Sequence, residues 1–417
     1  MSLSTVDRLT LLWEISQLFS STLNLNEVLN LVIDEVIAAL RAERGIILLY
    51  DDKQQLQVRV ARGVDQQTLE SPEFEFSRSI VERVAREGEP QLTSDAQDER
   101  WLSQRESVIS LGLRSVLCVP LQVKGSQIGV IYVDNRLQAG LFMPPDLELL
   151  TTIATSAAGA IENARLYEIA VEKGRMEREL QMARELQAGF IPRDTPRVPG
   201  WEIAARWYPA RQVSGDYFDF LQPEPDRLGV VIADVSDKGM PAALFMTLTR
   251  SLVRASLADS ASPAAGIASA NRLLCADASR GMFVTLFYLA LDAATGELTY
   301  VNAGHNPPIL YRPGAAEMEA LTRTGMLLGI EPAATYEEGT TRLAPGDLLL
   351  LYTDGVTEAV DPAGEMFGEE RLRALIRRGG DRPADELLDR LTEAVRDFTV
   401  EAAPFDDIAL VLLKRCG

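Results

Sequence analysis

The chain has 417 residues, 47% hydrophobic and 24% charged, with a formal net charge of −20. This length allows two to three domains with cores of their own, and the acidic balance argues against a nucleic-acid partner, which wants a basic face. Cys118, Cys275 and Cys416 are widely spaced with no CxxC pair, so a disulfide framework is not expected and a reducing compartment fits.

The single histidine, His305, rules out a site with several imidazole ligands within one chain. No leader pattern opens the N-terminus, and no run of about 18 apolar residues predicts a membrane span. A cytoplasmic protein without membrane contact is therefore expected.

In chain order, residues 5–41 read as helical, with apolar residues at three- and four-residue steps. Gly45–Tyr50 is an apolar strand and Leu56–Ala61 an alternating one. Phe76–Glu87 reads as a short helix and Gln91–Asp98 as an irregular loop. Arg114–Leu121 and Gln127–Asp134 form a hairpin around Lys124-Gly125. Cys118 lies in the apolar run Ser115–Val119 and reads as a buried strand residue. A cysteine-nucleophile phosphate loop would want an Arg six positions on, but Lys124 follows Cys118 there, and Arg280 falls one residue short from Cys275.

Asp146 opens a long helix whose pattern allows it to reach Gly189, with Gly159 and Gly174 as points of weakness. Met176, Leu180, Ala183, Gln187 and Phe190 step by alternating fours and threes. That short seam suits either an amphipathic helix packed on its own domain or a parallel dimeric linker. Pro192, Pro196 and Pro199-Gly200 then mark a boundary.

Beyond it, Trp201–Ala210, Ser214–Leu221 and Leu228–Asp234 read as strands. Met240–Leu257 and Pro263–Ala278 read as helices, and Phe283–Asp292 with Glu297–Asn302 as a hairpin. Short strands at 308–311, 318–321 and 340–343 precede the apolar strands 347–352 and 408–413. Helices at 369–378 and 384–398 lie between those last two. Strands in hairpins with paired helices predict an α+β sandwich.

Asp216, Asp234, Asp354 and the pair Asp406/Asp407 all sit at edges of these strands, with Gly215 and Gly355 beside them. Any one of them is an ordinary turn residue. Four such positions joined to apolar strands suggest a site of oxygen ligands for a hard divalent cation. Arg211 is a candidate phosphate contact or an exposed structural residue. His305, in a Gly-His-Asn-Pro turn, is expected to be held by local hydrogen bonds.

Two resemblances follow. Arg114–Leu121, Ile128–Asn135, Phe142–Leu150 and Gly159–Leu166 resemble a GAF domain over roughly residues 5–166. Asn135, Phe142 and Asp146 partly match a motif of cyclic-nucleotide-binding members, although Arg136 and Leu147 depart from it. An unidentified small molecule or protein is the expected partner there.

Six ordered motifs in residues 176–417 resemble the sporulation stage II protein E-like serine phosphatases, a bacterial branch of the type 2C metal-dependent phosphatases. They are Val213–Asp219, Ala233–Ala243, Phe283–Phe287, Asn302–Pro307, Tyr352–Glu358 and Asp406–Ile408. The resemblance implies an α-β-β-α sandwich behind a GAF-type antiparallel sheet with flanking helices. It implies two Mn²⁺ or Mg²⁺ ions held by Asp216, Asp234, the Val235 carbonyl, Asp354 and the Asp406/Asp407 pair. Motif order favours Asp406 within the pair. Val235 and Asp237 stand where relatives often have Gly.

The domains expected are a sensor at 1–166, a helical linker at 167–192 and a catalytic domain at 193–417, in a homodimer. The implied reaction is hydrolysis of phosphoserine or phosphothreonine on a regulatory protein, such as a STAS-type anti-sigma-factor antagonist, by metal-activated water. The alternative is a catalytically weak or inactive scaffold that acts through ligand and partner binding.

Overall fold

A computed structural model describes residues 13–14, 17–19, 21–63, 76–93, 114–224, 227–277, 281–400 and 406–416. Helical expectations at residues 5–12, 15, 16 and 20 lie outside them. Contacts divide the chain into two compact units, Met1–Met176 and Glu177–Gly417.

The first unit holds helix α1 (Leu25–Leu40), strands β1 (Arg44–Tyr50) and β2 (Leu56–Gly63), helix α2 (Arg78–Glu87), and strands β3 (Gln91–Thr93), β4 (Ser115–Val123) and β5 (Ser126–Asn135). Helix α3 (Pro144–Ala188) begins in this unit. The strands form one antiparallel sheet in the order β2-β1-β5-β4-β3. Side chains alternate across a strand. Ile47 and Leu49 therefore join α1 and α3 in one core, while Ile46 and Leu48 join α2 in another.

The edge strand β3 takes the place of the loop expected from Gln91 as far as Thr93, and the rest of that expectation, residues 94–98, lies outside the described residues. Three residues are too few to show a period, and their pairing with Val116–Cys118 comes from tertiary contact. Helix α3 runs unbroken through Gly159 and Gly174, where a side chain would meet open space. Glycine in a helix costs about 1 kcal/mol, and 45 residues of helix absorb that. Cys118 is fully buried.

Residues that partly matched the cyclic-nucleotide motif do structural work. Asn135 Oδ1 accepts from the amides of Leu137 and Gln138, and Asp146 Oδ2 accepts from Met143 N at the start of α3. Phe142 is buried, and Arg136 pairs with Glu43 at 2.7 Å. The buried Asp134 takes a two-point bond from Arg44, at 2.9 and 2.7 Å, and a third from Tyr132.

The second unit stacks two antiparallel sheets between helix pairs, giving the α-β-β-α layers of the expected α+β sandwich. One sheet contains β7 (Tyr217–Glu224), β8 (Arg227–Val235), β9 (Val284–Asp292), β10 (Glu297–Ala303) and β13 (Gly339–Arg342), in the order β13-β10-β9-β8-β7. The other contains β6 (Trp201–Tyr208), β11 (Ile309–Tyr311), β12 (Glu319–Ala320), β14 (Leu348–Tyr352) and β15 (Ile408–Arg415), in the order β12-β11-β14-β15-β6.

Helices α4 (Met240–Ala258) and α5 (Pro263–Asp277) pack on the first sheet. Helices α6 (Gly368–Gly379) and α7 (Ala384–Phe398) pack on the second. Alternation again assigns the faces. Leu349, Leu351, Val411 and Leu413 point into the inter-sheet core, while Leu348, Leu350, Leu410 and Leu412 point to α6 and α7. Among the described residues no helix is long and apolar enough to cross a membrane.

Candidate metal centre

The acidic residues singled out in the sequence meet at one end of the sandwich because each sits where a strand enters or leaves it. Strands β7 and β8 pair with Tyr217 opposite Ala233, which sets Asp216 beside Asp234 at the mouth of that hairpin. On the second sheet, Tyr352 pairs with Leu410. Thr353 N donates to the Ala409 carbonyl, and Ala409 N donates to Thr353 Oγ1. The chain then turns into a short 3-10 segment, Asp354–Val356, so Asp354 faces the start of β15, where Asp406 and Asp407 lie.

Asp216 itself lies just before β7, one residue short of the strand expected to contain it. The loop ahead of β7 uses side chains in place of ladder bonds. Asp216 N donates to Ser214 Oγ at 3.0 Å, and Trp207 Nε1 donates to the Asp216 carbonyl at 3.0 Å. Val235 is the last residue of β8, and its carbonyl faces Gly215, where an added Cβ would stand 3.0 Å from it.

Charge is out of balance at this end. Burial, then the neighbouring carboxylates of Asp234 and Asp407, push Asp216 well above the usual carboxylate range, against a hydrogen bond from Thr353. Burial, together with Asp406 and Asp407, raises Asp234, and its hydrogen bond with Asp216 opposes that rise. Asp354 is pushed up to about 7, first by burial and then by Asp234, Glu358 and Asp406. Asp216 Oδ2 is buried without a hydrogen-bond partner. Clustered carboxylates that raise one another, with an orphaned oxygen among them, are what a bound cation would relieve.

Among the described residues no three His, Cys, Asp or Glu side chains are gathered closely enough to hold a metal ion between them. Mg²⁺-type ions need no such group, since they keep several waters and take one or two carboxylates each. The donor set therefore fits hard divalent cations, with Asp216, Asp234, Asp354, Asp406 and the Val235 carbonyl as the oxygens at hand.

Asp406 and Asp407 differ in what they touch. Asp406 Oδ2 pairs with Lys238 Nζ at 2.8 Å at the rim of the site. Both oxygens of Asp407 are engaged by backbone, accepting from Ala210 N at 2.7 Å and Gly215 N at 2.9 Å. Arg211 is exposed and forms no ion pair among the described residues. His305 is buried, its Nδ1 bonded to Thr285 Oγ1 at 2.9 Å and its amide to Asn302 Oδ1. It sits in the core as a neutral ring, lowered to about 4 by burial.

Sequence reasoning passed over several partners. Lys238 and Thr353 touch candidate ligands, and Gln187 bonds to Ser214. The only signal for Gln187 was a polar residue in an otherwise apolar seam. Of that seam, Met176 is exposed and Leu180 and Ala183 are half-buried. Asp219, quoted within a motif, is buried and pairs with Arg250 at 3.1 Å and Arg254 at 2.5 Å on α4. Asp237 adopts a φ of +79°, where glycine is favoured, and its Oδ1 accepts from Lys238 N.

Comparisons with known proteins bear on both units. Residues 224–416 match the family model of stage II sporulation protein E, and residues 22–162 match that of the GAF domain. Protein IcfG of Synechocystis sp. is 32% identical over 264 residues, a stretch covering 57% of this chain and 41% of IcfG. Phosphoserine phosphatase RsbU of Bacillus subtilis is 28% identical over 240 residues, covering 57% of this chain and 70% of RsbU. The match thus spans less than half of IcfG's length. Among solved structures, the SiaA-PP2C domain of Pseudomonas aeruginosa shares the fold, with a TM-score of 0.53 at 20% identity, covering 59% of this chain and 99% of that one.

Proposed function

We propose, from the premise that the chain carries a GAF domain followed by a stage II sporulation protein E-type domain, that it is a metal-dependent protein phosphatase under sensor control. Its substrate would be a phosphoserine or phosphothreonine on a regulatory protein. The observation that carries this reading is the cluster of carboxylates where the two sheets meet, a buried Asp216 with its Oδ2 unpartnered among the half-buried Asp234, Asp354, Asp406 and Asp407.

Asp216, Asp234 and the Val235 carbonyl would hold one side of a pair of Mn²⁺ or Mg²⁺ ions, and Asp354 and Asp406 the other. When bound, such ions supply an activated water as nucleophile and offset the charge of the phosphoryl group. The chain's own residues present these oxygens from the ends of strands on two sheets. Asp407 is engaged by the amides of Ala210 and Gly215 and so orients the loop before Asp216. No side-chain nucleophile is required, which suits a buried His305 and a fully buried Cys118.

Regulation is assigned to residues 1–166 as sensor and 167–192 as helical linker, with 193–417 as the catalytic domain. The relative RsbU is named a phosphoserine phosphatase. A phosphorylated STAS-type protein is the substrate class we would try first.

The test is phosphate release from a serine-phosphorylated STAS protein by the full chain, with and without Mn²⁺. Metal-dependent release that Asp234→Asn abolishes supports the reading. A folded chain that binds Mn²⁺ yet releases no phosphate from any phosphoprotein would point to the scaffold.

A further inference from the structure

The loop that presents Asp216 is fastened by two side chains far away in sequence. Asp407 holds it from β15, as described. The second fastening comes from the last turn of α3. Gln187 Nε2 donates to the Ser214 carbonyl at 2.7 Å, and Ser214 N donates to Gln187 Oε1 at 2.9 Å. The carboxamide thus pairs with one residue's backbone much as a neighbouring strand would. Ser214 then passes the constraint on, because its Oγ accepts from Asp216 N at 3.0 Å.

Burial shows that this contact is specific. Across residues 181–187 the helix is exposed or half-exposed except at Gln187, which is only 4% exposed, while Leu186 beside it is 72% exposed. A helix turn that buries its glutamine and leaves its leucine in water is not there for apolar packing. Ser214 is fully buried, so losing Gln187 would strand a backbone donor and acceptor together. The loop has little slack, since Gly215 already packs against the Val235 carbonyl.

We propose that Gln187 is a positioning residue for the cation site, holding the Ser214-Gly215 peptide so that the Asp216 carboxylate and the Val235 carbonyl face the same point. The inference rests on the reading of Asp216 and Val235 as ligands. It deepens that reading by naming a residue outside the sandwich that sets metal affinity. Gln187 touches neither ion nor substrate and acts through Ser214.

The experiment uses the full chain, its Gln187→Leu variant, which keeps the side-chain volume and removes both bonds, and Gln187→Asn, which keeps the amide but shortens its reach. Mn²⁺ binding is measured by titration calorimetry, and backbone deuterium uptake is followed over residues 210–217 without metal. Gln187→Leu should bind Mn²⁺ about tenfold more weakly, the order expected for one or two buried hydrogen bonds. Its uptake should be faster over residues 210–217 and unchanged in β8, β9 and β14. Turnover should recover at saturating Mn²⁺, and the local change in uptake separates this from a merely destabilised fold, which would exchange faster throughout.

If Gln187→Leu fails to fold, Gln187→Asn is judged by the same two measurements. A variant that binds Mn²⁺ within twofold of the parent, or whose uptake over 210–217 is unchanged, overturns the inference and leaves the phosphatase reading intact. A parent chain that binds no Mn²⁺ overturns both.

Discussion

Gly355 lies directly against the backbone of Asp407: a methyl group on its Cα would stand 2.0 Å from the Asp407 carbonyl oxygen. Two candidate-site segments from neighbouring strands thus meet with no room for a side chain, and the obstacle is main chain that cannot rotate away. Gly355→Ala should cost about 1–3 kcal/mol, as overpacking does, and should weaken Mn²⁺ binding by separating Asp354 from Asp406. Gly159→Ala, in open space on α3, should be neutral or stabilising by up to about 1 kcal/mol. Denaturant midpoints of the two variants, with and without Mn²⁺, check the contrast.

Asp234→Asn should separate stability from function. Asp234 is raised by burial and by Asp406 and Asp407, so its charge opposes folding when no cation is present. Removing that charge should leave the metal-free midpoint unchanged or higher, by about 1 kcal/mol. Mn²⁺ should no longer raise it. A variant that still gains stability from Mn²⁺ as the parent does would show that Asp234 is not a ligand.

His305 predicts a specific acid sensitivity. Its folded value of about 4 lies below its ordinary value of 6.5 because burial disfavours the charged ring. The unfolded chain therefore binds a proton that the folded one refuses between those values. Stability from this group is fully present above pH 6.5 and is lost as pH falls towards 4. The loss should be about 2 kcal/mol by pH 5. His305→Gln should lower stability at neutral pH and flatten the decline between pH 7 and 5. Urea midpoints of parent and variant across that range give the comparison.

Asp237 holds a φ of +79° three residues after Asp234. Left-handed backbone costs a branched residue most and glycine least. Asp237→Gly should change stability by less than about 1 kcal/mol, relief of strain offsetting glycine's larger entropy loss. Asp237→Val should cost about 1–3 kcal/mol. Equal thermal midpoints for the two variants would show that the backbone here is not constrained.

What the sequence determined by itself is local. The continuous apolar runs at 46–49, 348–352 and 408–413 marked buried strands, and the strands read at 214–221 and 228–234 left Asp216 and Asp234 at strand edges. Aspartates at strand ends beside glycines marked the candidate site, because the end of a buried strand is where a polar group can face a ligand without breaking the ladder.

What only the tertiary structure decided is which side chains those groups meet. Asp406 and Asp407 are adjacent and chemically identical, yet one pairs with Lys238 and the other fastens Ala210 and Gly215. Gln187 looked like one position of a helical seam and proved to be bonded to Ser214, 27 residues away. Asp219, three residues past Asp216, turns to Arg250 and Arg254 on α4. A short sequence pattern fixes which way a residue points along its own strand or helix. It carries no information about what the folded chain brings opposite, because that depends on sheet order and register set by the whole core.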